Sequence, residues 1–350
     1  MNNDTNSLNL PKSVIELAGS SHHHDHGNAD HDHSIPEIDA DDGIDRRGFL
    51  KCMAWAGTGL LCTMNGGILS SLLLGQGRAS AAPAAKGALS FVQISDSHIG
   101  FNKAANKDVI GTMQHVVEKI NALPTPPAFI LHTGDLTHLA QADEFDTVAQ
   151  ILKGAKTASG QVFYVPGEHD ILGDNGKQFF TQFAPKSADR GWFSFDQNGT
   201  HLVGLNNVLD HGDGGLGRLG DDQIAWLAKD LAGVSSETPL VIFAHVPLWS
   251  VYPEWGWGTQ DSARALALTK RFGSVTVLNG HIHQTLQKVE GNVRFHTAMS
   301  TAFPQPKPGA ADKPGPMVVP DGKLGHVLGL TRIEMATAGK RLAIIDTPLA

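Results

Sequence analysis

Apolar and polar positions alternate with two different periods along the chain after residue 87. Short apolar runs are typical of buried strands, and apolar residues at every third or fourth position are typical of helices. The predicted elements are a strand at 88–95, a helix at 105–123, a strand at 128–132, a helix at 144–155 and a strand at 162–165. This β-α-β-α-β order predicts a layered α/β fold.

The second half of the chain continues with more strands and fewer helices. Asn198-Gly199 lies between two apolar runs and predicts a tight hairpin turn. Helices are predicted at 221–231 and 262–272, and strands at 240–244, 275–278, 293–296, 328–333 and 341–345. Residues 251–260 and the Pro/Gly-rich residues 304–325 are predicted loops. Without an internal repeat or a second linker, residues 82–350 are expected to form one α/β domain with two sheets.

A paired arginine precedes the longest apolar segment of the chain. Arg46-Arg47-Gly48-Phe49-Leu50-Lys51 has the form of a twin-arginine export signal, and an apolar run at 52–74 leads to an Ala79-Ser80-Ala81 cleavage site. We predict a signal peptide at 46–81, transport by the twin-arginine translocation machinery, a periplasmic or otherwise exported location, and no stable membrane span after cleavage. A membrane anchor or a buried helix is the alternative, weakened by four glycines in the run.

Residues 1–45 carry ten acidic residues against one lysine, and they include histidine- and aspartate-rich stretches at 21–26 and 31–33. This composition predicts a disordered leader. Tracts of this kind also bind divalent metals weakly. A more specific hypothesis is that this leader collects metal ions while the protein is assembled.

Net charge and cysteine content exclude several classes of protein. The net charge of −8 argues against a general nucleic-acid partner, which would require a basic surface. The two cysteines, Cys52 and Cys62, both lie in the apolar segment, so the predicted domain has no disulfide framework and no cysteine-ligated zinc site.

Polar side chains follow five of the predicted core strands at the point where each strand ends. They are Asp96 and His98 after the first strand, Asp135 after the second, Glu168, His169 and Asp170 after the third, His245 after the fourth, and His281 and His283 after the fifth. In open α/β sheets, binding sites form at the carboxyl ends of the strands. Each motif alone is weak evidence, but five in order predict a single site.

The residue types in this set predict a metal centre. Asp96 and His98, like His281 and His283, are two positions apart, so on an extended chain each pair would point to one face. Carboxylates and imidazoles without a thiolate suit Fe, Mn or Zn. Two such ions bridged by Asp135 would clamp the oxygens of a displacement at phosphorus, with a metal-bound hydroxide as the nucleophile.

These motifs resemble those of the calcineurin-like metallophosphoesterase family from about residue 89 to residue 283. The resemblance implies a four-layer α/β/β/α sandwich of two mixed sheets. It also implies metal-dependent hydrolysis of phosphomonoesters or phosphodiesters, with a small-molecule phosphate ester as the substrate.

The resemblance further implies a role for each matching residue. One metal would be held by Asp96, His98, Asp135 and His283, and the other by Asp135, Glu168, His245 and His281. His169 would contact the phosphoryl group or protonate the leaving oxygen, and Asp170 would orient His169. A carboxylate beside an imidazole raises the pKa of the imidazole and selects its tautomer.

Glu168 departs from the family motif, which has Asn at this position. Three outcomes are open: Glu168 ligates the second metal and favours a more highly charged pair, it ligates with altered geometry and lower activity, or it misses and leaves one metal. We expect ligation, with efficiency or metal choice shifted from the family norm. A non-catalytic metal- or ligand-binding protein on the same fold is the alternative, although the retained His169 and Asp170 argue against it.

Several further residues are weaker candidates for the site. His132 and His138 flank Gly134-Asp135, and Asn206-Asn207 ends a strand. Loop 251–260 carries Tyr252, Trp255 and Trp257, which would either stack on the leaving group of a substrate or pack the loop onto the body.

Overall fold

The computed structural model of the chain describes residues 60–65, 68–73, 89–184, 190–210, 212, 215–335 and 342–350. By backbone contacts the chain divides into Met1–Ser80 and Ala81–Ala350. In the first unit, β1 (Leu60–Asn65) pairs antiparallel with β2 (Ile68–Leu73). No helix among the described residues is long and apolar enough to cross a membrane. The leader and the twin-arginine motif lie outside the described residues, so the signal and the predicted domain boundaries stay predictions.

The second unit contains two mixed sheets, flanked by helices. Its strands are β3 (Ser90–Ile94), β4 (Ile130–His132), β5 (Val162–Tyr164), β6 (Phe193–Gln197), β7 (Thr200–Gly204), β8 (Leu240–Phe243), β9 (Val275–Asn279), β10 (Gln287–Glu290), β11 (Val293–Thr297), β12 (Gly329–Met335) and β13 (Leu342–Pro348). Its helices are α1 (Val109–Asn121), α2 (Ala142–Lys153), α3 (Lys177–Phe183), α4 (Asp221–Ala232), α5 (Ser262–Ala267) and α6 (Leu324–Val327), with 3₁₀ turns at Glu168–Ile171 and Pro253–Trp255.

The strand order explains why the site residues meet. The five-stranded sheet has the order β13-β12-β3-β4-β5, and β3, β4 and β5 run parallel. The six-stranded sheet has the order β10-β11-β9-β8-β7-β6, with β7, β8, β9 and β11 parallel. Parallel neighbours bring their carboxyl ends to one edge, and the five strands that precede the candidate ligands are all of this kind.

Alternation along the strands separates the core into three layers of side chains. On β8, Val241 and Phe243 belong to a cluster between the two sheets, whereas Leu240 and Ile242 pack against the helices on the outer face. On β3, Phe91 joins the cluster between the sheets, and Val92 packs with α1 and α2. This arrangement is the predicted α/β/β/α sandwich of two mixed sheets.

Several predicted elements are confirmed, and some boundaries are corrected. The hairpin at Asn198-Gly199 forms between β6 and β7, with both turn residues at positive φ (47° and 74°). Helix α1 begins at Val109, not at residue 105, because the Asp108 carboxylate caps it by accepting the Gly111 N–H at 2.8 Å. Helix α5 ends at Ala267, not at residue 272, and the Asn292 amide donates to the carbonyls of Thr269 and Phe272 beyond it.

Candidate metal centre

The candidate ligands lie where the carboxyl edges of the two sheets meet. Asp96, His98, Asp135, His245 and His283 are each at most 2% exposed. The loops of the two sheets are joined directly, because the Asp96 carboxylate accepts the His281 backbone N–H at 3.0 Å. The predicted metal ligands therefore form a single cluster, in which these five are buried and Glu168 and His281 are partly buried.

The backbone at these residues is left-handed, which corrects the expectation from an extended chain. Asp96 has a φ of 56°, His98 of 41°, Asp135 of 52°, His281 of 70° and His283 of 53°. The two-residue spacing therefore does not place each pair on one face of a strand; a strained loop turns both side chains inward. Non-glycine residues rarely adopt this region, and such strain concentrates at functional sites.

Three glycines allow the ligand loops to approach one another. A Cβ atom on Gly134 would lie 2.5 Å from Nδ1 of His245, and one on Gly167 would overlap the Asp135 carboxylate. A Cβ atom on Gly280 would overlap Ser95 Oγ and lie 2.7 Å from Asp96 Oδ2. The glycine in each of the motifs therefore makes room for a neighbouring ligand.

The first ligand group consists of Asp96, His98 and His283, with Asp135 beside it. Nε2 of His98 lies 3.2 Å from Nε2 of His283 and 3.4 Å from Asp135 Oδ2, and Nε2 of His283 lies 3.3 Å from Asp96 Oδ1. Atoms that share one ion at bond lengths of about 2.1 Å lie about 3.0 to 3.4 Å apart. These separations suit ligands of a common ion.

The second group consists of Glu168, His245 and His281. Glu168 uses both oxygens: Oε2 lies 2.8 Å from Nε2 of His245, and Oε1 lies 2.9 Å from Nδ1 of His281. Oε2 of Glu168, Nε2 of His245 and Nδ1 of His281 are nevertheless buried without a well-directed hydrogen bond. These atoms converge on one point, as ligands of an ion do.

Asp135 lies between the two groups. Its Oδ2 is 3.4 Å from Nε2 of His98 in the first group and 3.5 Å from Nε2 of His245 in the second. Its Oδ1 accepts the backbone N–H of His169 at 2.9 Å, which orients the carboxylate. Oδ2 of Asp135 is thus close to both groups.

Backbone carbonyls select the tautomer of two ligand imidazoles. Nδ1 of His245 donates to the Thr133 carbonyl at 2.7 Å, and Nδ1 of His283 donates to the Phe303 carbonyl at 2.6 Å. Each bond engages Nδ1 and leaves Nε2 as the nitrogen directed at the centre, as in metal sites where an outer hydrogen bond orients the ligand. Asn279 supports His245 on both sides by donating to the carbonyls of Ala244 and Val246.

Electrostatics in the cluster favours charged carboxylates. Burial opposes ionisation of Glu168, but His281 and His245 hold the pKa of its carboxyl well below the ordinary value. Burial also opposes protonation of His245, yet Asp135 and Glu168 raise the pKa of its imidazole well above the ordinary value. Burial and the neighbouring His169 and His283 lower the pKa of His98 well below its ordinary value, which suits a neutral ligand.

His169 is oriented by a backbone carbonyl and not by Asp170, which corrects the expected pairing. Nδ1 of His169 donates to the His138 carbonyl at 2.7 Å. Asp170 instead accepts the backbone N–H groups of Leu136, Thr137 and Gly167 at 2.9 to 3.1 Å, together with the Thr137 hydroxyl. Asp170 therefore holds two ligand loops together and does not contact the His169 ring.

The weaker candidates have distinct positions. His138 stacks on His169, with ring centroids 5.0 Å apart, and its Nδ1 lies 3.5 Å from Nδ1 of His98. His132 is buried and pairs with Ser97 Oγ beneath the site. Asn207 braces the loop after β8 through hydrogen bonds to Val246.

A cleft of about 230 Å³ opens above the ligand groups. His138 and His169 line it, as do Trp255, Trp257 and Phe303. Sequence reasoning missed Phe303 and Gln305 on its border, as well as the carbonyl of Thr133 behind the centre. Backbone acceptors carry no side-chain signature, and Phe303 directly precedes the predicted loop 304–325 and belongs to no recognisable motif.

The donor set agrees with a metal centre of imidazole and carboxylate ligands, which suits Fe, Mn or Zn. The fit rests on three observations: the buried atoms of the second group that converge without a well-directed hydrogen bond, the separations in the first group, and the backbone carbonyls that engage Nδ1 of His245 and His283. These residues are therefore suited to hold metal ions in two adjacent groups.

Comparison with known proteins places these motifs in a family. Residues 89–285 match the family described as calcineurin-like phosphoesterase. The chain is 26% identical to the serine/threonine-protein phosphatase CPPED1 of Danio rerio over 218 residues, covering 55% of this chain and 70% of that protein. It is also 26% identical over 206 residues to the glycerophosphodiester phosphodiesterase GpdQ of Enterobacter lignolyticus, covering 54% of this chain and 69% of that protein.

Solved structures support the same fold. A dimetal phosphatase from Danio rerio superposes with a TM-score of 0.53 at 13% identity, covering 75% of this chain and 96% of that one. At this identity the similarity shows the architecture of two sheets with outer helices.

Proposed function

Because the chain belongs to the calcineurin-like phosphoesterase family of metal-dependent phosphoric ester hydrolases, we propose that it is an exported phosphoesterase whose centre holds two metal ions, with Glu168 as a ligand of the second. One observation carries the proposal: the Glu168 carboxylate lies 2.8 Å from Nε2 of His245 and 2.9 Å from Nδ1 of His281, and neither contact is a well-directed hydrogen bond. These three residues face the group of Asp96, His98 and His283 across Asp135.

Each residue has a defined task in this proposal. Metal ions bound there would supply Lewis-acid activation of water and of a phosphoryl oxygen. Asp135 orients both ligand groups toward one reacting centre, and Asp170 holds the loops that carry Asp135 and Glu168. The buried ligand cluster also limits the entry of bulk water.

His169 is the proposed proton donor to the leaving oxygen. Its Nδ1 is engaged by the His138 carbonyl, so Nε2 is the nitrogen available to the cleft that the ring lines. Burial opposes its charged form, but Asp135, Glu168 and the His138 carbonyl outweigh burial and raise the pKa of His169 above its ordinary value. An imidazole that keeps its proton near neutral pH is a suitable general acid.

Glu168 gives the centre a third carboxylate beside Asp96 and Asp135. The resemblance to the family places a neutral Asn side chain at this position. A carboxylate there lowers the net positive charge of a loaded centre, so we propose that it favours more highly charged metal ions. If the chain instead binds one ion, and Glu168→Asn gains a second, the proposed ligation by Glu168 is wrong.

The test covers both activities named among the relatives, because one relative is a phosphatase and another is a phosphodiesterase. The mature protein is stripped with a chelator, reloaded with Mn, Fe or Zn, and assayed on 4-nitrophenyl phosphate and bis(4-nitrophenyl) phosphate over a range of pH. Hydrolysis that returns with metal and is lost in His169→Gln supports the proposal. Metal binding without turnover of either ester would instead indicate the non-catalytic binding protein.

Export is supported by the twin-arginine motif at Arg46-Arg47 and the small residues at Ala79 and Ala81. The test replaces both arginines by lysine, which preserves charge, and follows the protein in periplasmic and cytoplasmic fractions. Full export of the Lys-Lys variant would contradict this route.

A further inference from the structure

The border of the cleft, apart from the candidate metal ligands and their neighbouring histidines, is built of rings. Its members are Trp255, Trp257, Phe303, Pro314 and Pro316, and the two border residues without a ring are Gln305 and Gly315. No lysine or arginine of the described residues lines the cleft. Contacts with a substrate beyond the phosphoryl group therefore depend on the faces of rings and not on charge.

Of the border residues, Trp255 is the best placed to contact a substrate. Trp257 is 1% exposed, whereas Trp255 is only partly buried. The Trp255 ring packs edge-on against Trp257 at 5.1 Å and against Tyr252 at 5.3 Å between centroids. Tyr252 and Trp257 are further joined by backbone hydrogen bonds of 3.0 and 3.1 Å.

The 3₁₀ turn that carries Trp255 has a defined end. Gly256 closes it in the left-handed region at a φ of 72°. The indole is therefore held in place before any ligand binds, which reduces the entropy lost when a ring stacks on it.

The proline segment of the border is tied to the centre itself. The Gln305 amide donates to the carbonyl of His281 at 2.9 Å, and its oxygen accepts the Gly315 N–H at 3.1 Å. Pro314 and Pro316 are therefore positioned relative to a candidate metal ligand. A substrate whose phosphorus lies at the centre would have its ester group beside these rings.

We infer that the substrate is a phosphate ester whose ester group is a planar, uncharged aromatic ring, such as an aryl or nucleoside group, stacked on Trp255. This inference rests on the proposed phosphoesterase activity and names its substrate class. Stacking on an indole rewards a planar ring over a saturated ring of similar size. An aliphatic polyol would leave the ring faces without a matching partner.

The test uses two competitive inhibitors that carry the same charge and differ in one ring. Methyl phenylphosphonate and methyl cyclohexylphosphonate are both monoanions, and neither C–P bond is cleaved by ester hydrolysis. With the metal-loaded protein and bis(4-nitrophenyl) phosphate as the reporter, we expect the phenyl compound to bind about five- to tenfold more tightly, in line with measured stacking energies.

Variants identify the ring that is responsible. Trp255→Leu should abolish the preference for the phenyl compound, and Trp255→Phe should retain most of it. Trp226→Leu, on α4 and away from the cleft, is the matched control and should keep the full preference. Equal binding of the two compounds in the wild type, or an unchanged ratio in Trp255→Leu, would overturn the inference. If the wild type shows no metal-dependent hydrolysis at all, the proposed function is rejected instead.

Discussion

The domain contains two clusters of histidines and carboxylates that look alike in composition and differ in how their nitrogens are used. The first cluster, formed by Asp196, His201 and Asp230, lies beside edge strand β6 of the six-stranded sheet. In it, His201 donates from both nitrogens, to Asp196 at 2.8 Å and to Asp230 at 2.9 Å. In the candidate metal centre, Nδ1 of His245 donates to a carbonyl, and Nε2 lies within 3.9 Å of oxygens of three carboxylates, those of Glu168, Asp135 and Asp96, without a well-directed hydrogen bond to any of them.

The difference separates an ion pair from a ligand set. A histidine that donates from both nitrogens to carboxylates is satisfied as an imidazolium and has no lone pair for a metal. A histidine with one nitrogen on a backbone carbonyl presents a lone pair from the other. The convergence of several ligand atoms on one point without well-directed hydrogen bonds, and not the number of histidines and acids, therefore indicates the metal centre.

The largest expected effect comes from removing the residue shared by both ligand groups. Asp135→Ala should lower kcat/KM for phosphate ester hydrolysis by roughly a thousandfold, because metal-assisted charge stabilisation contributes several kcal/mol to such reactions. Steady-state kinetics on the metal-loaded protein measures this effect.

The matched control for Asp135→Ala is His201→Gln, which alters the other cluster and should keep its activity within about twofold of the wild type, the small effect expected of a substitution away from the site. Comparable losses in the two variants would show that the clusters are not functionally distinct.

A smaller effect is expected from the glycines that make room for the ligands. Gly280→Ala places a Cβ atom against Ser95 and Asp96, and should weaken metal affinity by about 10- to 100-fold, as disturbance of ligand support does elsewhere. Metal titration followed by calorimetry measures the change.

Gly199→Ala tests backbone strain alone, because no atom lies within 4 Å of a Cβ built there. That variant should lose about 1 kcal/mol of stability and no metal affinity. An equal loss of affinity in both glycine variants would contradict the steric explanation.

The third effect is on stability and not on activity or metal affinity, and it concerns the His201 cluster. The hydrogen bond that His201 donates to Asp230 outweighs burial and raises the pKa of His201. The charged pair therefore stabilises the fold fully below the unfolded pKa of about 6.5 and progressively less as pH rises through the folded pKa. His201→Gln should lower the free energy of unfolding by about 1.5 to 3 kcal/mol near pH 6, and by less at pH 9. Urea unfolding at both pH values measures the difference; a cost that grows with pH would show that the imidazolium is not the stabilising form.

Strand-end motifs were sufficient to predict which side chains come together, because parallel strands bring their carboxyl ends together whatever the loops do. The local geometry was not predictable in the same way. Asp96 and His98 follow a strand but lie in left-handed backbone, and Asp170 follows His169 in sequence but turns back to Thr137 and Gly167 through the 3₁₀ turn. Neighbours in sequence are not neighbours in space where the chain turns tightly.

Secondary structure elements were predictable where apolar residues are regularly spaced. Elements were missed where that spacing is weak. Strand β10 is exposed along its whole length, so it has no buried face to produce alternation, and the seven-residue helix α3 is too short for a clear period. The apolar runs of β3 and β8 were recognised because they are buried on both faces.

The number of metal ions bound per chain tests the central claim most directly. Inductively coupled plasma mass spectrometry on the metal-loaded protein should give two ions per chain in the wild type and in His201→Gln, and one in His245→Ala, where the group of Asp96, His98 and His283 remains intact. A single ion per chain in the wild type, or a count that does not change in His245→Ala, would contradict the assignment of Glu168, His245 and His281 to a second metal.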